Sequence, residues 1–117
     1  RPLWRRTATR RAMSFTLATF NAENLDFRDE ALFERRRAAL LPLVTALRAD
    51  ILCLQEVNAG RPSKNAPRGF AHLDRLLAGT PYSAFDKATS VRPGASEPAD
   101  VHNLVILSRF PVVETRQ

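Results

Sequence analysis

The sequence predicts a mixed α/β domain, and three observations carry that prediction. Short apolar runs of strand character alternate with stretches whose apolar residues recur every three or four positions, the pattern of layered α/β folds. A length of 117 residues suffices for one small domain and not for two. A composition of 44% hydrophobic and 26% charged residues is that of an ordinary globular protein, which excludes wholesale disorder and a fibrous chain.

Residues 14–20 alternate Phe15, Leu17 and Thr19 against Thr16, Ala18 and Phe20 and read as the first strand. Asn21-Ala22-Glu23-Asn24 then breaks the run with turn-forming residues. From Glu30 the pattern turns helical: Leu32 or Phe33, Arg37, Leu40, Val44 and Leu47 recur at three- and four-residue steps, with Glu34, Arg35 and Arg36 on the wet side. Pro42 falls inside this pattern and is expected to kink or divide the helix. Residues 51–54 are apolar without alternation, which predicts a strand buried on both faces. Residues 58–69, with two Pro and two Gly, read as an exposed loop. Phe70, Leu73, Leu76 and Leu77 predict a short helix over 70–77, stopped by Gly79 and Pro81. A short strand is expected over 82–85, a second polar loop over 89–100, and a strand over 103–107. Residues 112–113, after Pro111, read as the start of a further strand that breaks off at the end of the chain. There is no internal repeat and no interdomain linker.

The net charge of +6 invites a nucleic-acid reading, but its distribution argues otherwise. Five of the 18 cations, Arg1, Arg5, Arg6, Arg10 and Arg11, precede Met13, which leaves 13 Lys+Arg against 12 Asp+Glu in residues 13–117. Residues 1–12 are therefore a basic leader, distinct from the domain over 13–117. That leader reads as upstream sequence before a true start at Met13, as a disordered arm gripping phosphates, or as a targeting segment. No apolar segment follows Arg5-Arg6 to make an export signal, so a cytoplasmic location is expected. No apolar run approaches the roughly 20 residues that a membrane-spanning helix needs. One Cys and two His exclude a disulfide scaffold and a zinc module.

Phosphate-binding Gly-rich loops, a Gly-x-Ser-x-Gly elbow and His-Glu-x-x-His are all absent. Two polar residues at strand ends remain. Asn21 ends the first strand and Glu56 follows the second, and residues just past strand ends line the ligand crevice of α/β sheets. A carboxylate and an amide converging there suit a hard, oxygen-seeking cation such as Mg²⁺. Asn24, Asp26 and Tyr82 lie near these positions and read as turn or wall residues. Cys53, mid-strand, reads as a buried inert thiol. Arg35, Arg36 and Arg37 read as a solvated helix face, and Arg109 as a residue that fixes a strand end.

Three stretches carry a resemblance. FTLATFNAENL at 15–25, with Asn21 at its strand end, resembles the opening strand of the endonuclease/exonuclease/phosphatase superfamily. ADILCLQEV at 49–57 is similar to that superfamily's metal-binding strand, and NLVILSRFPV at 103–112 to its later LSR-x-P strand. The resemblance implies a β-sandwich flanked by helices in four layers, αββα, of which this chain would be the amino-terminal half. It implies hydrolysis of phosphodiester or phosphomonoester bonds with Mg²⁺ or Mn²⁺, Glu56 as a metal ligand and Asn21 as a catalytic residue positioning metal or phosphate. Substrates in such a family include nucleic acids, nucleotides and phospholipid headgroups. By the period of two, Gln55 should point away from Glu56 and pack in the sheet. The family's later Gly-Asp-x-Asn and Ser-Asp-His segments have no counterpart here, and neither His72 nor His102 stands in their context. The fragment is therefore expected to be inactive by itself. The alternative is a non-catalytic module that binds nucleic acid through its leader.

Overall fold

The computed structural model describes residues 13–25, 28–98 and 101–117. The basic leader over 1–12 and Asp26 lie outside the described residues. The elements run β1 (Leu17–Asn21), α1 (Glu30–Leu47), β2 (Ile51–Asn58), α2 (Ala71–Leu77), a 3₁₀ turn (Pro81–Ala84), β3 (Asp86–Thr89) and β4 (His102–Ser108). They form one four-stranded sheet in the order β1-β2-β4-β3, so the expected mixed α/β class is the one found. β1 and β2 are parallel and joined through α1, whereas β4 slots in antiparallel between β2 and β3.

Helix α1 starts where Asp29 Oδ1 accepts the Leu32 amide at 3.0 Å, with Glu30 favourably placed in the first turn. Its inward stripe is Phe33, Leu40 and Val44, and the helix runs unbroken through Pro42. It ends at Arg48, a left-handed residue with φ 45°. Helix α2 adds His72, Leu73, Leu76 and Leu77 to the same core, which closes on Leu52, Leu54, Val105 and Leu107 of the sheet. Both helices thus serve one face. One sheet with one helical layer is half of a four-layer αββα arrangement.

Among the described residues no helix covers the other face of the sheet. Phe15, Leu17 and Leu104 are each about three-fifths exposed, and Ile106 is 43% exposed. Strand β2 therefore alternates between buried Leu52 and Leu54 and half-buried Ile51 and Cys53, and is not covered on both faces as its unbroken apolar run predicts. Cys53 is half-buried for the same reason.

Three more expectations change. Strand β1 begins at Leu17, not at 14, because its partner β2 begins only at Ile51, whose amide bonds the Thr16 carbonyl where the ladder opens. Residues 81–84 form a 3₁₀ turn in place of a strand, since Pro81 fixes its first residue and the buried Tyr82 hydroxyl is held by α1 and its exit. The strand expected there starts later, at Asp86. Residues 112–113 make no strand: Pro111 has no amide, and the Val112 amide donates to the Asp86 carboxylate at 2.9 Å. Arg109 does fix its strand end. Its Nε donates to Asp50 Oδ1 at 2.8 Å, and Asp50 Oδ2 accepts the Thr16 amide at 2.8 Å. Among the described residues, no helix is long and apolar enough to cross a membrane.

Candidate functional site

Parallel pairing brings the carboxyl ends of β1 and β2 out at one edge, with Asn21 opposite Gln55 in the register. Strict alternation would then send Glu56 into the core with Leu52 and Leu54. A bulge prevents this. The pairing of β2 with β4 shifts between Leu54↔Val105 and Val57↔Asn103, so that Gln55 and Glu56 together face Leu104. Glu56 takes a left-handed conformation with φ 53°, stays exposed, and leaves the buried position to Val57. Its Oε1 accepts a hydrogen bond from Asn21 Nδ2 at 3.0 Å. The two residues singled out by the sequence are therefore in contact. Gln55 bonds across the strands to Thr19 Oγ1 at 2.8 Å, on the open face. It packs in the sheet as expected, but the bulge means that alternation does not separate it from Glu56.

The turn after β1 is built to hold Asn21. Asn21 Oδ1 accepts the Glu23 amide at 2.7 Å, and the Ala22 amide donates to the Gln55 carbonyl at 2.9 Å. Glu23 and Asn24 are both left-handed, with φ 48° and 52°. Leu25 then plunges into the core, fully buried. Of the positive-φ residues other than glycine, Glu23, Asn24 and Glu56 lie at this edge and Arg48 at the far end of α1. Backbone strain of this kind costs of order 1–3 kcal/mol per residue and gathers at functional sites.

Asn24 extends the site toward β4. Its Oδ1 lies 2.9 Å from His102 Nε2 and accepts from Asn58 Nδ2 at 3.4 Å, and Asn58 pairs with His102 in the register. Asn58, His102 and Arg36 were legible only in part. His102 opens the strand antiparallel to β2, so it must arrive at the end where Glu56 sits. Arg36 stands three residues after Phe33, on the flank of the inward stripe, and is not on the solvated face. Tyr82 belongs elsewhere: its hydroxyl bonds Ala49 and Val44 at the opposite end of the sheet. The carboxyls with displaced pKa values also lie away from this edge. Asp50 is held below the usual aspartate range by the Thr16 amide, and Glu30 below the usual glutamate range by Arg75.

The exposed Glu56 carboxylate is a hard oxygen donor of the kind Mg²⁺ takes. Asn21 as placed gives its amide nitrogen to Glu56 and its oxygen to Glu23, so it braces the carboxylate. Among the described residues no group of three or more His, Cys, Asp or Glu side chains comes together as a metal site. Mg²⁺ is commonly held by one or two carboxylates, several waters and substrate phosphate oxygens, so the donors fit one leg of such a site.

The family model of the Endonuclease/Exonuclease/phosphatase family matches residues 18–117. Comparisons with curated proteins and with solved structures gave no match. The match takes in both strand ends, the bulge and the Asn24–His102 contact, and the chain belongs to the endonuclease/exonuclease/phosphatase family.

Proposed function

We propose that this chain supplies the Asn21–Glu56 edge of a divalent-metal-dependent phosphoesterase site that hydrolyses phosphodiester or phosphomonoester bonds. Family membership supports the reaction class, and the hydrogen bond of Asn21 to Glu56 carries the assignment of the edge. Glu56 would hold Mg²⁺ or Mn²⁺; when bound, that ion activates water and offsets charge on the phosphoryl oxygens. The bulge keeps the Glu56 carboxylate out of the core, within β2 and near its carboxyl end. Asn21 restricts its rotation through Oε1. The substrate is a phosphoester of the nucleic-acid, nucleotide or phospholipid-headgroup type.

The chain has neither Gly-Asp-x-Asn nor Ser-Asp-His, and a positioned general acid–base group contributes about 10²–10⁴-fold to such reactions. The 117-residue chain alone is therefore expected to show no Mg²⁺-dependent turnover of a generic phosphodiester. Joined to a family second half that supplies both motifs, it is expected to turn over. In that protein Glu56→Gln should lower Mg²⁺ affinity and rate together. Asn21→Ala should lower the rate roughly 10–100-fold, as loss of a bracing partner does, with a smaller effect on Mg²⁺ half-saturation. An unchanged metal requirement and rate in Glu56→Gln would refute the assignment. Salt-dependent DNA binding without turnover, lost on deleting residues 1–12, would favour the non-catalytic alternative.

A further inference from the structure

The three arginines of α1 have different fates. Arg35 is exposed, and Arg37 Nε donates to the Arg75 carbonyl at 3.0 Å. Arg36 is half-buried and turns toward the end of β1. Its Nη2 donates to the carbonyls of Ala22 at 2.7 Å and Glu23 at 2.9 Å, and its Nη1 to that of Asn24 at 2.9 Å. Three successive carbonyl oxygens thus converge on one guanidinium.

That convergence needs a cation. Carbonyl dipoles aimed at a common point repel each other, and the two left-handed residues that aim them, Glu23 and Asn24, pay a conformational cost. A guanidinium offers five donors in a rigid planar fork, so it can bridge several acceptors with charge-assisted bonds. An ammonium on a flexible stem presents a compact point charge and cannot bridge them in the same way.

We propose that Arg36 is a positioning residue for the Asn21–Glu56 pair. By gathering the carbonyls of residues 22–24 it keeps the turn closed, which presents the Glu23 amide to Asn21 Oδ1 and so points Asn21 Nδ2 at Glu56. The hydrogen bonds of Arg36 go to the turn carbonyls and not to either member of the pair, so it acts through the turn. The importance of the pair rests on the phosphoesterase reading above, but the positioning is a separate claim with its own readout.

The test uses the ¹⁵N-labelled 117-residue chain and follows the side-chain amide of Asn21 by NMR. In the parent, Glu56→Gln should shift the Asn21 Hδ2 resonances, because it replaces their charged acceptor. In an Arg36→Gln background that response should fall to less than half, whereas in Arg35→Gln it should persist in full. Arg36→Lys should also lose it, since charge alone does not bridge three carbonyls, and this variant serves if Arg36→Gln does not fold. Adding Glu23→Gly, which accepts a positive φ freely, should restore part of the response. An Asn21 amide that responds to Glu56→Gln equally with and without Arg36 overturns the proposal. Titration with Mg²⁺ keeps the two claims apart. In the protein joined to a family second half, Asn21 and Glu56 signals that ignore Mg²⁺ tell against the metal-site reading, while loss of the coupling in Arg36→Gln still supports the positioning.

Discussion

The Tyr82 hydroxyl offers a test of how α1 is tied to the sheet. It accepts the Ala49 amide at 3.0 Å and donates to the Val44 carbonyl at 3.1 Å, and all three residues are at most 4% exposed. The usual helical partner of the Val44 carbonyl would be the Arg48 amide, but left-handed Arg48 donates to Thr45 at 3.3 Å instead. Tyr82 therefore satisfies one acceptor that the helix abandons and one donor just before β2. Tyr82→Phe preserves the ring, including its edge contact with Phe85 at 5.1 Å, and removes only the oxygen. A buried group left unpaired costs about 1–3 kcal/mol, so two such groups with partial rehydration should cost about 2–3 kcal/mol. For a domain of this size that is a fall in Tm of roughly 10 °C. Urea unfolding followed by far-UV circular dichroism reads the loss as a lower midpoint at an unchanged m value. The Asn21 side-chain amide should not move, because the hydroxyl lies at the other end of the sheet. Stability within about 0.5 kcal/mol of the parent would show that the hydroxyl does not hold this junction. A shifted Asn21 amide would return Tyr82 to the site wall.

Three further outcomes follow from the same geometry. The Thr16 amide, helped by Arg109, keeps the folded Asp50 carboxyl below its ordinary value of 3.8, so its stabilisation is present above that pH and is lost as pH falls through the lowered folded pKa. The urea midpoint of the parent should thus drop more steeply between pH 5 and pH 2 than that of Asp50→Asn, and parallel declines would remove Asp50 from the account. Leu104, 59% exposed on the open sheet face, should tolerate Leu104→Lys within about 0.5 kcal/mol. Sedimentation velocity should show the parent associating at concentrations where Leu104→Lys stays monomeric, and equal association in both would place the contact elsewhere. Pro42→Ala restores a backbone amide within α1 and should raise stability by about 1 kcal/mol or more, read as a higher urea midpoint, and a lower midpoint would show that α1 depends on the proline.

The parts of this fold that the sequence disclosed are those decided by local pattern. The apolar spacing of α1 and α2, the apolar β2 and β4, and the turn residues after Asn21 all lead to the elements observed. Local pattern failed where a distant partner decides. Residues 82–85 have strand-like composition, but residues 81–84 form a 3₁₀ turn whose Tyr82 hydroxyl bonds Ala49 and Val44. The run 51–54 looks covered on both sides because all four of its residues are apolar, whereas covering depends on what packs there. The contact of Glu56 with Asn21 was only half legible. Position after a buried strand pointed to Glu56, but alternation would have buried it, and only the bulge opposite Leu104 brings it to Asn21. Arg36 and His102 were hidden because their partners are turn carbonyls and a side-chain amide, neither of which leaves a periodic trace.

The strand order has a kinetic corollary. Strand β4 lies between β2 and β3, so the inner edge of β2 cannot be satisfied until residues 102–108 exist. During synthesis at roughly 5–20 residues per second, β2 waits several seconds with a row of unpaired amides and carbonyls. Strand β3 is made earlier than β4 but has no seat without it, since among the described residues its sheet partner is β4. Docking of β4 therefore closes two ladders at once, with a high loop-closure cost met late. During that interval the nascent chain is open to off-pathway pairing along β2, the same strand that carries Glu56.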